Sequence, residues 1–156
     1  MPSTSLKSYN GYPASKDRAE IGIKSYPIKG TSIKIACAEV VAPLLVGFCA
    51  EFHEKVEPID GEALDDWGYA FRMVRGSTDN LSNHASGTAV DLNASKHPLG
   101  KVGTFPASAV PMIRALAKKY GLRWGGDYRN RVDEMHFEVN LSPAKAAALI
   151  TKLGLK

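Results

Sequence analysis

The sequence predicts an α+β fold, with helices packed on one antiparallel β-sheet. First, 156 residues, of which 44% are hydrophobic, suffice for one domain with a buried core. Second, three segments carry helical spacing or helix boundary signals. Third, short segments of strand character lie between these helices, an order typical of α+β proteins. We therefore expect a single domain over residues 1–156.

The first helix is predicted at about residues 39–56. Its apolar side chains recur at three- and four-residue steps, at Leu44, Leu45, Phe48, Phe52 and Val56. Pro43 lies inside this segment and cannot donate a helical hydrogen bond. We therefore expect the helix to start or bend near Ala42.

Two further helices are predicted in the second half of the chain. Residues 107–120 have helical spacing, and Gly121 follows them as a stop signal. Ser142 and Pro143 are residue types preferred at the N-cap and at the first position of a helix. We expect this last helix to end near Gly154.

Strand character is found in four segments. Residues 21–35 alternate loosely between apolar and polar side chains, which predicts one or two short strands. Further strands are predicted at residues 67–74, 88–93 and 135–139. Residues 1–20 are polar and rich in Ser, Lys, Gly and Pro, so we expect an extended N-terminal arm over the surface.

The charge pattern narrows the class of partner. The formal net charge is +4, and a mild basic excess favours anionic polymers such as nucleic acid or cell wall. The basic residues are scattered without a run of five or more, which argues against nucleic acid. No stretch of about 20 apolar residues predicts a membrane span, and the N-terminal segment lacks the apolar core of a signal peptide.

Two cysteines, Cys37 and Cys49, are too few for a disulfide framework. We expect both to be small buried side chains in an apolar helix. Cys49 and His53 have the i, i+4 spacing of half a metal site on a helix, which is the alternative interpretation.

The histidines point to a candidate site. Of the four, His84 and His136 lie in the most strongly patterned segments, S-N-H-A-S-G-T-A-V-D at 82–91 and D-E-M-H-F-E at 133–138. We expect His53 to be structural and His97 to lie at the surface.

Side-chain alternation in a strand predicts how the first patterned segment is oriented. Val90 and Leu92 point to the core, so Asp91 points to the opposite face of the sheet. Gly87 permits a tight turn that can bring His84 back beside Asp91.

The second patterned segment follows the same rule. In the strand at 135–139, His136 and Glu138 point to the polar face, which Asp91 could share. Glu138 is then either a hydrogen-bond partner of His136 or a solvated strand residue.

Two imidazoles and one carboxylate are ligands that suit zinc, and three protein ligands leave a fourth position for water. Zinc lowers the pKa of that water, and a second acid must then accept the proton. Asp133 precedes His136 by three residues, so it must lie in the loop before the strand. From spacing alone, surface residues or a buried His–Asp pair remain alternatives.

Two motifs carry a family resemblance: S-x-H-x-x-G-x-A-x-D at 82–91 and D-x-x-H at 133–136. They resemble the signature of the D-alanyl-D-alanine carboxypeptidase and L-alanyl-D-glutamate endopeptidase family, grouped with lysostaphin-type enzymes and the hedgehog domain. Residues 72–77, 124–128 and 10–15 are similar to phage endolysins of this family. The resemblance implies a hedgehog-like or D,D-peptidase-like fold.

The resemblance also implies roles for individual residues. It implies zinc ligation by His84, Asp91 and His136, with Asp133 as the catalytic acid and base. Many carboxypeptidase relatives have Glu where this chain has Asp133, and an aspartate there is typical of endolysin-type endopeptidases.

An arginine upstream of the first motif is implied to bind substrate or stabilise the developing oxyanion. Arg72 matches best, and Arg75 is its rival. Ser82 either hydrogen-bonds the substrate or only caps the turn before His84.

The function that this resemblance implies is a phage endolysin that cuts between L-alanine and D-glutamate (or D-isoglutamine) in the peptidoglycan stem peptide. We expect it to be a monomer that accumulates in the host cytoplasm before lysis, without stable membrane association. One alternative is a D,D-carboxypeptidase or dipeptidase that acts on D-alanine termini. Another is a non-catalytic wall-binding module, against which an intact Asp133 argues.

Overall fold

The computed structural model describes residues 6–59, 65–74, 76–78 and 80–155, which form a mixed α+β fold. Within these residues there are three helices, α1 (Ala42–Lys55), α2 (Val110–Lys119) and α3 (Pro143–Lys152). The strands are β1 (Ile23–Pro27), β2 (Lys34–Ala38), β3 (Ala89–Asp91), β4 (Leu122–Trp124) and β5 (His136–Val139). They form two small antiparallel sheets, β1–β2 and β3–β5–β4, so the predicted fold class is confirmed.

The predicted helix boundaries agree closely with the structure. Helix α1 begins at Ala42 with Pro43 in its first turn, where the missing N–H costs no helical hydrogen bond. A short 3-10 turn precedes α2, and Gly121 follows it with φ of 69°. Ser142 caps α3 by accepting a hydrogen bond from the backbone N–H of Lys145.

The core lies between α1 and the three-stranded sheet. Phe48 and Phe52 of α1 are fully buried, and their rings lie 4.5 and 5.8 Å from the ring of Phe137 on β5. Because successive side chains of a strand point to opposite faces, this packing turns His136 and Glu138 to the other face. The apolar core therefore orients the polar face that carries the candidate site.

The predicted strand at residues 67–74 is wrong for this segment. It pairs with other chain segments only at two isolated positions, Trp67 with Asp91 and Met73 with Leu81, within the described residues. Between these positions its backbone N–H groups bond to different segments, such as Tyr69 to the carbonyl of Ala36. The segment thus has the amino-acid composition of a strand, but its backbone hydrogen bonds go to several different segments instead of one partner strand.

The described part of the N-terminal arm inserts into the fold. Tyr12 and Ala14 are buried. The side-chain amide of Asn10 donates to Oγ1 of Thr88 at 2.8 Å and to the carbonyl of Val139 at 3.0 Å. The arm therefore braces the strands β3 and β5 next to the candidate site.

The surface placement predicted for His97 is wrong. Its side chain is 1% exposed and stacks on the ring of Phe105 at 3.7 Å. Its Nε2 lies 2.7 Å from Oε2 of Glu57, and its Nδ1 lies 2.6 Å from Oγ1 of Thr104. Buried polar groups need such partners, and one of these, Glu57, lies 40 residues away in sequence.

Both cysteines are buried and free, as predicted, but the helical placement is wrong for Cys37, which lies in β2. His53 accepts a hydrogen bond from the backbone N–H of Ile59 at its Nδ1, in agreement with a structural role.

None of the helices in the described ranges is long and apolar enough to cross a lipid bilayer.

Candidate metal centre and catalytic cleft

Three buried side chains converge on one point, and we name them the ligand cluster: His84, Asp91 and His136. The distance from Oδ1 of Asp91 to Nε2 of His84 is 3.2 Å, and to Nδ1 of His136 it is 3.0 Å. The two imidazole nitrogens lie 3.2 Å apart. Among the described residues, this is the group of His, Cys, Asp and Glu side chains that could hold a metal ion.

Local structure explains how the cluster forms. Asp91 and His136 are paired directly across β3 and β5, so their side chains share one sheet face. Residues 83–86 form a single 3-10 turn that ends at Gly87, whose φ of 70° is left-handed. A side chain at Gly87 would also collide with Ile23 and Ala38. The turn returns His84 to the start of β3, as the sequence predicted.

Each histidine of the cluster is oriented by a second hydrogen bond. Nδ1 of His84 donates to the carbonyl oxygen of Gly68 at 2.6 Å, which leaves the Nε2 lone pair available to a metal ion. Nε2 of His136 donates to Oε1 of Glu138 at 2.7 Å, so Nδ1 is the nitrogen that could bind a metal ion. Histidines that bind metals typically donate their other ring N–H in this way. Glu138 is 6% exposed and also accepts a hydrogen bond from the hydroxyl of Tyr128.

Asp91 is held in the same manner by Trp67. The indole Nε1 of Trp67 donates to Oδ2 of Asp91 at 2.9 Å, so Oδ1 remains for a ligand. Burial opposes ionisation of Asp91, but the charges and hydrogen bonds of His84 and His136 hold its pKa well below the ordinary value. Asp91 is therefore an anion at neutral pH.

The negative surroundings of His136 favour a positive charge in the cluster. Burial lowers the pKa of His136, but the hydrogen bonds and charges of Asp91 and Glu138 outweigh it and raise the pKa to about 10. A divalent cation at this position would meet the same attraction.

The cluster fits zinc in its donor chemistry and its spacing. With ligand distances of about 2.0–2.1 Å, a tetrahedral zinc ion holds its ligand atoms roughly 3.3–3.4 Å apart. The three observed separations of 3.0–3.2 Å are within a few tenths of an ångström of this spacing. Two imidazoles with one carboxylate leave a coordination position open, as catalytic zinc sites do.

Asp133 lies in the loop before β5, where the sequence predicted it. Burial raises its pKa above the ordinary value, and the negative charge of Asp91 raises it further against the opposing charges of His136, His84 and Arg72. Its Oδ1 is buried, and no group in the described part of the chain forms a hydrogen bond with it. Such a carboxylate is suited to accept and return a proton.

The position of Asp133 depends on a close backbone approach at Gly125. The backbone N–H of Asp133 donates to the carbonyl of Gly125 at 2.9 Å. A Cβ atom at residue 125 would lie 2.2 Å from the carbonyl oxygen of Asp133, which is far inside contact distance. Only glycine permits this approach, and this explains why a glycine follows Trp124 directly.

A cleft of about 520 Å³ opens beside the ligand cluster and includes His136, Asp133 and Ser82 in its lining. The charged residues of this cleft are four arginines and three acids: Arg72, Arg123, Arg129, Arg131, Asp127, Asp133 and Glu138. The apolar part of the lining includes Tyr9, Val74 and Leu99.

The structure places the other predicted site residues around this cleft. Arg72 lines the cleft and lies close enough to Asp133 that its charge opposes the rise in the pKa of that carboxyl group. Arg75 lies outside the described residues. Ser82 caps the turn before His84, because its Oγ accepts a hydrogen bond from the backbone N–H of His84 at 3.2 Å.

Sequence reasoning named Glu138 as one possible partner of His136, but it missed the other groups that orient the cluster and those that shape the cleft. Trp67 and the carbonyl of Gly68 belong to a segment predicted as an ordinary strand. Tyr128 lies in a motif noted only for its resemblance. The basic character of residues 129–131 was visible, and their loop position beside Asp133 was the signal that they face the site.

The fold and the site define a mixed α+β protein with a buried two-histidine, one-aspartate cluster that could hold a metal ion. A family model described as D-alanyl-D-alanine carboxypeptidase matches residues 75–139. The matched segment contains the whole ligand cluster and Asp133, and the match supports a peptidase. No curated protein and no solved structure matches the chain.

Proposed function

We propose that this chain is a zinc-dependent peptidase that hydrolyses a peptide bond in bacterial peptidoglycan. The observation that carries the proposal is the ligand cluster, whose three ligand atoms lie 3.0–3.2 Å apart beside a cleft that also contains Asp133. The family match over residues 75–139 supports both the peptidase activity and the class of substrate.

The proposed chemistry divides between the cluster and the cleft. Zinc held by His84, Asp91 and His136 would supply Lewis acidity for the scissile carbonyl and for a water molecule. Asp133 accepts a proton from the attacking water at its carboxylate and delivers it to the nitrogen of the leaving amine. Its raised pKa suits both steps, since an ordinary aspartate is a weak base at neutral pH.

Arg72 and Ser82 are the proposed substrate contacts. Arg72 places a guanidinium in the cleft near Asp133, where it can hold the substrate or stabilise the oxyanion as charge develops. Ser82 joins these two parts of the site, because its backbone N–H donates to the carbonyl of Arg72 while its hydroxyl caps the turn of His84.

Within this class, we propose an endopeptidase of the phage endolysin type that cuts between L-alanine and D-glutamate or D-isoglutamine. The aspartate at position 133 supports this choice, as does the resemblance of residues 10–15, 72–77 and 124–128 to such endolysins. On this proposal the protein accumulates in the host cytoplasm and reaches the wall at lysis.

A D,D-carboxypeptidase that releases terminal D-alanine is the second candidate. The description of the matching family model favours it. The same cluster and the same acid would serve, so the two candidates differ only in where the substrate binds along the cleft.

Digestion of purified peptidoglycan by the zinc-loaded protein tests both candidates. The endopeptidase produces new amino termini on D-glutamate or D-isoglutamine, whereas the carboxypeptidase shortens stem peptides by single D-alanine residues, and mass spectrometry of the muropeptides separates them. A chelator-treated sample is the control. Unchanged muropeptides in the presence of zinc would contradict both candidates.

A further inference from the structure

The cleft has more positive charge than the proposed catalytic steps require. Of its three acids, Asp127 forms an ion pair with Arg114 at 2.9 Å, and Glu138 is hydrogen-bonded to His136 at 2.7 Å. Among the described residues, neither Arg129 nor Arg131 has an ion pair with an acidic side chain. The cleft therefore offers guanidinium groups to an anionic part of a ligand.

Arg131 is placed in the cleft by an unusual backbone conformation. Its φ is 46°, in the left-handed region that a side chain as large as arginine rarely adopts. Strained residues of this kind are concentrated at sites that bind ligands. The loop that carries this conformation, residues 129–131, ends two residues before Asp133 and lines the cleft.

The guanidinium of Arg131 lies close to the segment of the chain that follows Arg72. Its Nη1 lies 3.2 Å from the position that a Cβ atom on Gly76 would occupy. Gly76 follows the segment of Arg72 and Val74, which also lines the cleft. Arg131 thus extends from the loop of Asp133 towards the segment of Arg72.

The chemistry of the proposed substrate supplies a matching anion. In a bond between L-alanine and D-glutamate, the α-carboxylate of D-glutamate is attached to the carbon that also carries the scissile nitrogen. If Asp133 protonates that nitrogen, as proposed above, this carboxylate would lie in the cleft beside Asp133. Amidation of this carboxylate gives D-isoglutamine, which removes the charge and places an NH2 donor where the carboxylate oxygen was.

We propose that Arg131, with Arg129 beside it, binds the α-carboxylate of D-glutamate and makes the enzyme discriminate against amidated stem peptides. This inference rests on the proposed endopeptidase function and adds a specificity-determining site to it. A guanidinium binds a carboxylate through two parallel charge-assisted hydrogen bonds. With an amide it can form only one of them, because the amide NH2 group is a donor that faces a second guanidinium N–H donor. Specificity arises from this unfavourable contact as well as from the favourable one.

The test compares two synthetic tetrapeptides, L-Ala-γ-D-Glu-L-Lys-D-Ala and its D-isoglutamine counterpart, as substrates for the zinc-loaded enzyme. We expect kcat/KM to be higher for the free acid by on the order of 10- to 100-fold. Arg131→Ala should remove most of this preference by slowing the free acid alone, and Arg131→Lys should retain part of it. Arg18→Ala, at an exposed arginine that stacks on Tyr69 away from the cleft, is the matched control.

The outcomes separate this inference from the proposed function. Equal cleavage of both peptides by the wild-type enzyme would overturn the inference and leave the endopeptidase intact. So would an Arg131→Ala variant, shown to be folded by its unaltered thermal unfolding, that slows both peptides equally. Failure of the wild-type enzyme to cleave either peptide would overturn the endopeptidase function and the inference with it.

Discussion

Asp91 and His136 lie directly opposite each other on β3 and β5, with Oδ1 of the first 3.0 Å from Nδ1 of the second. They are separated by 45 residues in sequence, so the register of this strand pair creates the site. A slip of one residue would turn one side chain to the core face. The packing of Phe137 against α1 prevents such a slip, because it fixes which side of β5 is apolar.

Glu138→Gln is predicted to weaken zinc binding by about 10- to 100-fold, the usual effect of losing the carboxylate partner of a ligand histidine. The glutamine keeps the shape of the side chain but not the charge that orients His136. Competition with a chelator measures the affinity. Glu54→Gln, at an exposed position on α1, is the control, and equal affinities of the two variants would refute a positioning role for Glu138.

Asp133→Asn is predicted to leave zinc binding intact and to lower kcat by about 10²- to 10⁴-fold, since the amide cannot accept the proton. The measurement is the rate of muropeptide cleavage at saturating substrate with zinc content determined in parallel. Asp127→Asn changes an exposed acid that lines the same cleft and should retain activity. A fully active Asp133→Asn variant would contradict the proton-transfer role given to Asp133.

Gly125→Ala is predicted to displace the loop of Asp133, because the new methyl group overlaps the carbonyl oxygen of that residue. We expect lower activity and a lower melting temperature, with the ligand cluster still able to bind zinc. Gly103→Ala is the control: it adds a methyl group where no atom lies within 4 Å, so it costs only the strain of a positive φ. Equal activity of the two variants would contradict the role given to Gly125.

Glu51 is predicted to contribute to stability in a pH-dependent manner. Burial opposes its ionisation, but hydrogen bonds from Lys119, Lys55 and Tyr120 lower its pKa from 4.5 to about 2. A carboxyl group with a depressed pKa in the folded state stabilises the protein above its unfolded pKa, and this contribution is lost as the pH falls from about 5 towards 2.

Glu51→Gln should therefore be less stable at neutral pH and should lose less stability than the wild type between pH 5 and pH 2. Urea unfolding at a series of pH values measures how the free energy of unfolding changes with pH. Glu39→Gln, which removes an exposed ion pair with Lys24, serves for comparison and should follow the wild type. The prediction would be contradicted if the free energy of unfolding of Glu51→Gln and of the wild type changed equally with pH.

Local rules predicted much of the candidate site. Strand alternation placed Asp91 and His136 on a polar face, and the glycine at position 87 predicted the turn that returns His84. Asp133 had to lie in a loop, because a strand would have turned it away from His136. Each of these inferences needs only a few neighbouring residues.

Contacts over long sequence distances could not be predicted in this way. Trp67 reaches Asp91 from 24 residues away, within a segment whose composition indicates a strand but whose hydrogen bonds go to several partners. His97 is buried against Phe105, and Glu57, 40 residues earlier, satisfies its Nε2. Arg131 owes its position to a left-handed backbone conformation that no local pattern indicates.

The most direct test of the central claim is the zinc content of the purified protein after dialysis, measured by native mass spectrometry for the wild type and for Asp91→Ala. The cluster geometry predicts one zinc ion in each wild-type chain and none in the variant, because two imidazoles without the carboxylate hold zinc weakly. A wild-type chain without zinc after incubation with the metal, or a variant that retains it fully, would contradict the account.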